Sequence, residues 1–184
     1  MNLKPQDVLV VLKLLVAPER RSYGELAAEL GMSASEVHAA TKRATRAQLL
    51  VELDGGLVTM RRNLREFLVH GIRYVFVPEL GAACRGVVTG FEALQERHRI
   101  GLVPREAPRV WPHPEGSARG ESVQPLYRSV PEAALRDRQL HAALAIVDEL
   151  RLGRTRERKE AARLLDALME VAGDPGCAIG DARP

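Results

Sequence analysis

The stretch SYGELAAELGMSASEVHAATKRATRAQLLVELDGGLVTMRR, residues 22–62, carries three local patterns in a fixed order. Tyr23, Leu26, Ala27 and Leu30 recur at i, i+3, i+4 and i+7, which places four apolar groups on one helical stripe. Gly31 follows as a left-handed C-cap, and Ser33 with Glu36 forms a capping box for a second helix, so residues 31–33 are a turn between helices. Along that second helix, at roughly 100° per residue, Val37, Ala40, Ala44 and Ala47 fall on one side and Ser35, His38, Lys42 and Arg46 on the other. Next, Leu50-Val51-Glu52-Leu53 and Leu57-Val58-Thr59-Met60 flank Asp54-Gly55-Gly56, whose glycines permit the positive φ angles of a tight hairpin.

Working outward, an opening helix from Lys4 to Val16 has Pro5 in its first turn and Val8, Val11, Leu12 and Leu15 as its apolar stripe. It completes three helices plus a β-hairpin over residues 1–62. This order resembles the winged helix-turn-helix regulators of bacteria, in the broad sense that includes the MarR-like families. The residues that carry the resemblance run from Tyr23 through Ser33, then Glu36-Val37-His38-Ala39-Ala40, Lys42-Arg43 and the Leu49-Leu50 step into the hairpin, about the first third of the chain. The resemblance implies that the second helix enters the major groove of double-stranded DNA while the wing touches flanking backbone or minor groove. On the matching positions, Ser33, Ser35, His38, Ala39 and Lys42 then approach base edges or the adjoining backbone. Arg43, Arg46 and Arg61 or Arg62 hold phosphates.

The wing departs from that pattern. It holds Glu52 and Asp54 and has no Lys or Arg between Leu50 and Met60, whereas a wing that grips phosphates is basic. Arg61, Arg62 and Arg65 follow at once. They either replace the wing tip as phosphate contacts or form the solvated first turn of the next helix, and the wing itself could face a protein partner.

Composition narrows the options further. A length of 184 residues suffices for one good core plus extensions, and a net charge of +3 with a pI of about 9.1 is mild, so any DNA affinity has to come from local placement of charge. The only cysteines, Cys84 and Cys177, are far apart and outside any CxxC spacing, which speaks against a disulfide framework or a structural zinc site. No secretory leader is visible at the start, and the apolar run from Val8 to Val16 is interrupted by Lys13, so a cytoplasmic protein without a membrane role is expected. Phosphate-loop, HExxH and GxSxG motifs are absent, and the five histidines are scattered singly. Glu25 and Glu29 read as plain surface. No catalytic residue, metal or cofactor is assigned.

Residues 63–78 read as a connecting helix capped by Asn63, with Leu64, Phe67, Leu68, Ile72 and Val75 on one face and Pro78 ending it. That face packs either within the chain or across a homodimer. Residues 79–130 change to Gly, Pro and Arg without periodicity and are expected to be an irregular arm. Trp111 and Tyr127 lie in this arm as docking anchors, either onto the protein's own surface or onto a partner. Residues 131–172 return to helix, with Leu140, Leu144, Val147 and Leu150 on one stripe, Gly153 as a break, and Leu164, Leu165, Leu168 and Val171 on a second. Between the two, Arg154, Arg156 and Arg158 form a basic cluster that is a candidate for partner contact or a solvated helix face. Residues 173–184 read as a frayed tail.

The fold expectation is thus mainly α: an N-terminal winged helix-turn-helix, an irregular arm and C-terminal helices. Three functional readings follow. The first is a sequence-specific DNA-binding transcription regulator of its own or an adjacent operon. The second is an antitoxin-like or defence-associated regulator whose arm and C-terminal helices restrain a protein encoded by a neighbouring gene. The third is a winged module used only for protein or RNA contact.

Overall fold

Pro5 opens helix α1 (Pro5–Val16) at the one helical position where a missing amide costs nothing. In the computed structural model, which describes residues 2–17, 21–53, 56–95 and 105–171, this helix lies at the centre. Not only the expected stripe but also Leu9 and Val10 are fully buried. A helix buried along nearly its whole length needs neighbours all round, and α1 has α2 (Tyr23–Leu30), α3 (Ala34–Arg46) and the hairpin β1 (Leu50–Leu53)/β2 (Gly56–Thr59) among its neighbours, and the later helices α8 (Arg138–Leu152) and α9 (Thr155–Val171) as well.

The caps fall where the local chemistry puts them. Ser22 and Glu25 form a capping box at α2, Gly31 ends it at φ +62°, and Ser33 and Glu36 form a second box at α3. The hairpin pairs antiparallel, with Leu50 opposite Thr59 and Leu53 opposite Gly56. Asp54 and Gly55 of its expected turn lie outside the described residues.

Helix α4 (Arg61–Glu66) starts two residues before Asn63, which is therefore not its cap. The Asn63 amide instead donates to the Gln48 carbonyl (2.8 Å), in the turn where Gln48 takes φ +58°. One wider π-type turn (Phe67–Gly71) joins α4 to α5 (Ile72–Val75). The extra residue per turn keeps Leu64, Leu68 and Ile72, spaced by four, on one inward face, and all three are fully buried.

The described residues of the segment expected to be an irregular arm, 79–95 and 105–130, include three strands. Strands β3 (Leu80–Thr89), β4 (Arg109–Pro112) and β5 (Ala118–Val123) close on one another, with the short helix α6 (Phe91–Leu94) after β3. β3 runs antiparallel to both of the others, and β4 and β5 are parallel. Three strands that each pair with the other two enclose almost no space, so the backbone itself touches across the closure. A Cβ at Gly86 would collide with the Trp111 carbonyl, one at Gly116 with the Gly86 backbone, and one at Gly120 with the Pro108 carbonyl. The Gly-rich composition that reads as a linker is what this closure requires.

Helices α7 (Val130–Arg136), α8 (Arg138–Leu152) and α9 (Thr155–Val171) complete the described residues. Asp137 caps α8, residues 143–150 of α8 are all buried, and a single apolar core runs from α1 through Trp111 and Val123 to α9. The described residues are mainly helical with two small sheets. Among the described residues no helix is long and apolar enough to cross a membrane. The expected frayed tail and Cys177 lie outside the described residues.

Replacing Gly86 by Ala should lower stability by about 2–3 kcal/mol, because the clash is with backbone that cannot rotate away. Gly81→Ala on the same strand, where a Cβ would sit in ordinary contact 3.5 Å from Ser122, should cost little. Urea denaturation of the two variants checks the contrast.

Candidate nucleic-acid interface

The outer face of α3 is built by what its inner face does. Val37, Ala40 and Ala44 are fully buried, and the small alanines let the helix sit close to α1 and α2. The opposite face carries Ser35, His38, Lys42 and Arg46 in the open, with Ala39 half-buried among them. Lys42 and Arg46 make no ion pair among the described residues, so both cations are available. Ser33, at the tip of the turn, spends its hydroxyl on the cap. Its Oγ accepts from the Glu36 amide (3.2 Å), donates to Glu36 Oε2 (2.9 Å) and lies 3.1 Å from Ser35 Oγ.

Tyr23 departs from its expected place in the core stripe. It is 40% exposed and sets its ring edge-on to His38, centroids 5.2 Å apart. The Ser22 cap was the available signal: it puts Tyr23 in the first turn of α2, beyond the cover of α1. Tyr23 and His38 thus form one aromatic step beside the cationic face.

Arg43 does not join this face. Only 6% of its side chain is exposed, and Nε and Nη2 donate to Asp7 Oδ2 (2.8 Å) and Oδ1 (2.6 Å). Asp7 is itself fully buried and also accepts from the Lys4 amide (2.8 Å). Paired hydrogen bonds of this kind hold a guanidinium in place, so the side chain expected to hold a phosphate bolts α3 to the start of α1. Arg61 is likewise tied inward, donating from Nη1 to the Met169 carbonyl of α9 (2.9 Å), and Arg65 pairs with Asp166 (2.9 Å). Arg62 is the exposed cation of that turn.

The N-terminal end of α3 has a fixed charge. The Ser33 amide and hydroxyl, followed by the Tyr127 hydroxyl, hold the Glu36 carboxyl down at about 2 from its ordinary 4.5. Tyr127 donates to Glu36 Oε1 (2.9 Å), and the exposed Arg128 lies over the Tyr127 ring at 5.7 Å. Tyr127, a candidate partner anchor, therefore docks on the chain's own surface.

Trp111, the other anchor, is a core residue. It is 1% exposed, its indole N–H donates to Asp148 Oδ2 (2.7 Å), and its ring lies 5.6 Å from that of His141. Of the basic cluster, Arg154 and Arg156 are exposed, while Arg158 donates to the Gly153 carbonyl (2.6 Å).

A further charged cluster is internal. Arg105 bridges Glu149 (2.9 Å), Glu92 (3.0 Å) and Glu157 (3.0 Å). Burial would lower the Arg105 pKa, but the surrounding carboxylates outweigh it and raise it. The guanidinium already occupies the space between these acids, which is an internal lock rather than an open site. Among the described residues no group of His, Cys, Asp and Glu could hold a metal.

Two outcomes follow. Arg43→Ala, which strands Asp7 without its partner, should destabilise the protein by about 3–5 kcal/mol in urea denaturation, whereas Lys42→Ala should leave it unchanged. Glu36 has a depressed pKa in the folded state, so its contribution is full above 4.5 and is lost as the pH falls through about 2. The stability difference between wild type and Glu36→Gln should therefore be constant above pH 4.5 and close on acidification, as read from denaturation midpoints across pH.

No protein-family model, no curated protein and no solved structure matches this chain.

Proposed function

We propose that this chain is a sequence-specific DNA-binding transcription regulator of the bacterial winged helix-turn-helix kind, broadly MarR-like, acting on its own or an adjacent operon. The observation that carries the reading is the outer face of α3, where Ser35, His38, Lys42 and Arg46 are exposed, with the half-buried Ala39 among them, on a helix seated by alanines. In this reading α3 lies in the major groove. Ser35, His38, Ala39 and Lys42 meet base edges, Arg46 and Arg62 meet phosphates, and Tyr23 buttresses His38. Two copies on a two-fold operator match the symmetry of such sites.

One observation favours a second reading. The hairpin exposes Glu52 and Leu53, an acidic and apolar surface that repels phosphate and fits a protein. In that reading the winged module serves protein contact, as in an antitoxin-like regulator that restrains a neighbouring gene's product.

The deciding experiment is fluorescence anisotropy with a duplex covering the gene's own upstream region against a scrambled duplex, at several salt concentrations. The first reading expects tight, specific, salt-dependent binding that Lys42→Ala abolishes. It also expects Arg46→Ala to weaken both duplexes and reduce the salt slope by about 1. Equal weak binding to both duplexes, unchanged in Lys42→Ala, would overturn it in favour of the protein-contact reading.

A further inference from the structure

Four large apolar side chains stand in water within seven residues where α5 passes into β3. Tyr74 is 72% exposed, Val75 55%, Val77 67% and Leu80 50%. They cannot turn inward, because the inward positions are taken. Phe76 lies between them with its ring edge-on to Phe67 (6.3 Å), its carbonyl accepts from Arg151 Nε (2.9 Å), and Ile72 and Pro78 are buried on either side. Gly81, Ala82 and Ala83 extend the exposed strip with small residues that allow close approach. An apolar patch that the fold itself holds open marks a contact surface.

The charges on this strip select its occupant. Arg73 lies at one end, its guanidinium over the outward-facing Tyr74 ring at 5.0 Å, and the exposed Glu79 lies towards the other. A nucleic acid or an anionic membrane would call for cations throughout. A strip with opposite charges at its two ends is complementary to itself under a two-fold rotation, which sets Arg73 of one copy against Glu79 of the next and brings the apolar residues together between them. Sheet extension is disfavoured, since the pairing register of β3 shifts between Gly81 and Ala83, a bulge that breaks a continuous edge. The contact is therefore one of side chains.

We propose that residues 73–83 form the isologous interface through which two copies of this chain associate. The proposal gives a location to the two-copy arrangement of the functional reading above, and its readout needs no nucleic acid. Sedimentation equilibrium of the full chain is compared for wild type, Val77→Asp, Arg73→Glu and the double variant Arg73→Glu/Glu79→Arg. The wild type should be a dimer. Val77→Asp and Arg73→Glu should each weaken dimerisation by roughly tenfold or more, and the double variant should recover it. All four should show the same thermal transition by circular dichroism at a concentration where they are monomeric, because the altered side chains lie outside the core. A monomeric wild type, a dimer indifferent to Val77→Asp, or a double variant no tighter than Arg73→Glu would each overturn the proposal. A monomer that still binds its operator would remove this interface and leave the DNA reading standing. A dimer of the expected variant pattern that binds no DNA would do the reverse.

Discussion

Two adjacent carboxylates on the inside of α8 hold the middle of this chain in place. Asp148 accepts from the Thr89 hydroxyl of β3 (2.9 Å), the Trp111 indole of β4 (2.7 Å) and Arg151 (2.7 Å). Glu149 accepts from the Phe91 amide of α6 (3.1 Å) and from Arg105 (2.9 Å). Burial pushes the Asp148 carboxyl up from its ordinary range, against the pull of Arg151 and the other donors. A buried carboxylate is tolerable only when its lone pairs are taken. The donors come from β3, β4 and α6 and from α8 itself, so the need to satisfy these two acids is also what fastens the small sheet to the helices. They act beside the apolar contacts of Val87, Val110, Trp111 and Val123, which a three-stranded closure needs to be stable.

From α8 the same logic reaches the N-terminal helices. Lys13 interrupts the apolar run from Val8 to Val16 of α1, and it sits between Glu29 of α2 (2.6 Å) and Asp137, the cap of α8 (2.7 Å). Glu29, which reads as plain surface, thereby becomes half of a clamp, with Arg21 as its second partner (3.0 Å). Tyr127 on Glu36 and Arg136 on the Ala28 carbonyl (3.1 Å) add two further ties across the same seam. Helix packing supplies the bulk of the stability, and these polar contacts fix the angle at which the halves meet.

How far the sequence is legible follows from how local each signal is. The caps at Ser33 and Gly31, the inner Ala40 and Ala44 of α3 and the hairpin depend on residues within a few positions of one another, and they stand where local chemistry places them. Ala47, expected on the inner side, instead follows the helix end and is exposed, and the second strand begins at Gly56, one residue before its expected start. The closed strands were hidden because their pairing is distant in sequence and their partner is a carboxylate on α8. Trp111 could be read as an anchor, but not as one aimed at Asp148, 37 residues away. Arg43 follows the same rule. On the helical wheel it lies between the two faces of α3, and only Asp7, 36 residues upstream, decides which way it turns. The π-type turn at Phe67–Gly71 has no residue signature of its own. It is the packing of Leu64, Leu68 and Ile72 at a spacing of four that imposes it.

These distant contacts bear on the surface of α3. The helix is fixed in its last turn by Arg43 on Asp7 and at its start by Glu36 under Tyr127, and neither contact uses a residue of the outer face. Its interior charge and its capping acid are already satisfied. The groups left over are Lys42 and Arg46, with Ser35 beside the Ser33 hydroxyl and His38 against the Tyr23 ring, all on a backbone that is held in place. A helix held this way presents its polar face without reorganising, so a ligand that fits gains the contacts without the ordering cost a loose helix would carry. The hairpin beside it follows the opposite rule, with Glu52 and Leu53 exposed. In the proposed reading, a surface that is cationic on the helix and acidic on the hairpin discriminates as much by what the hairpin repels as by what the helix attracts.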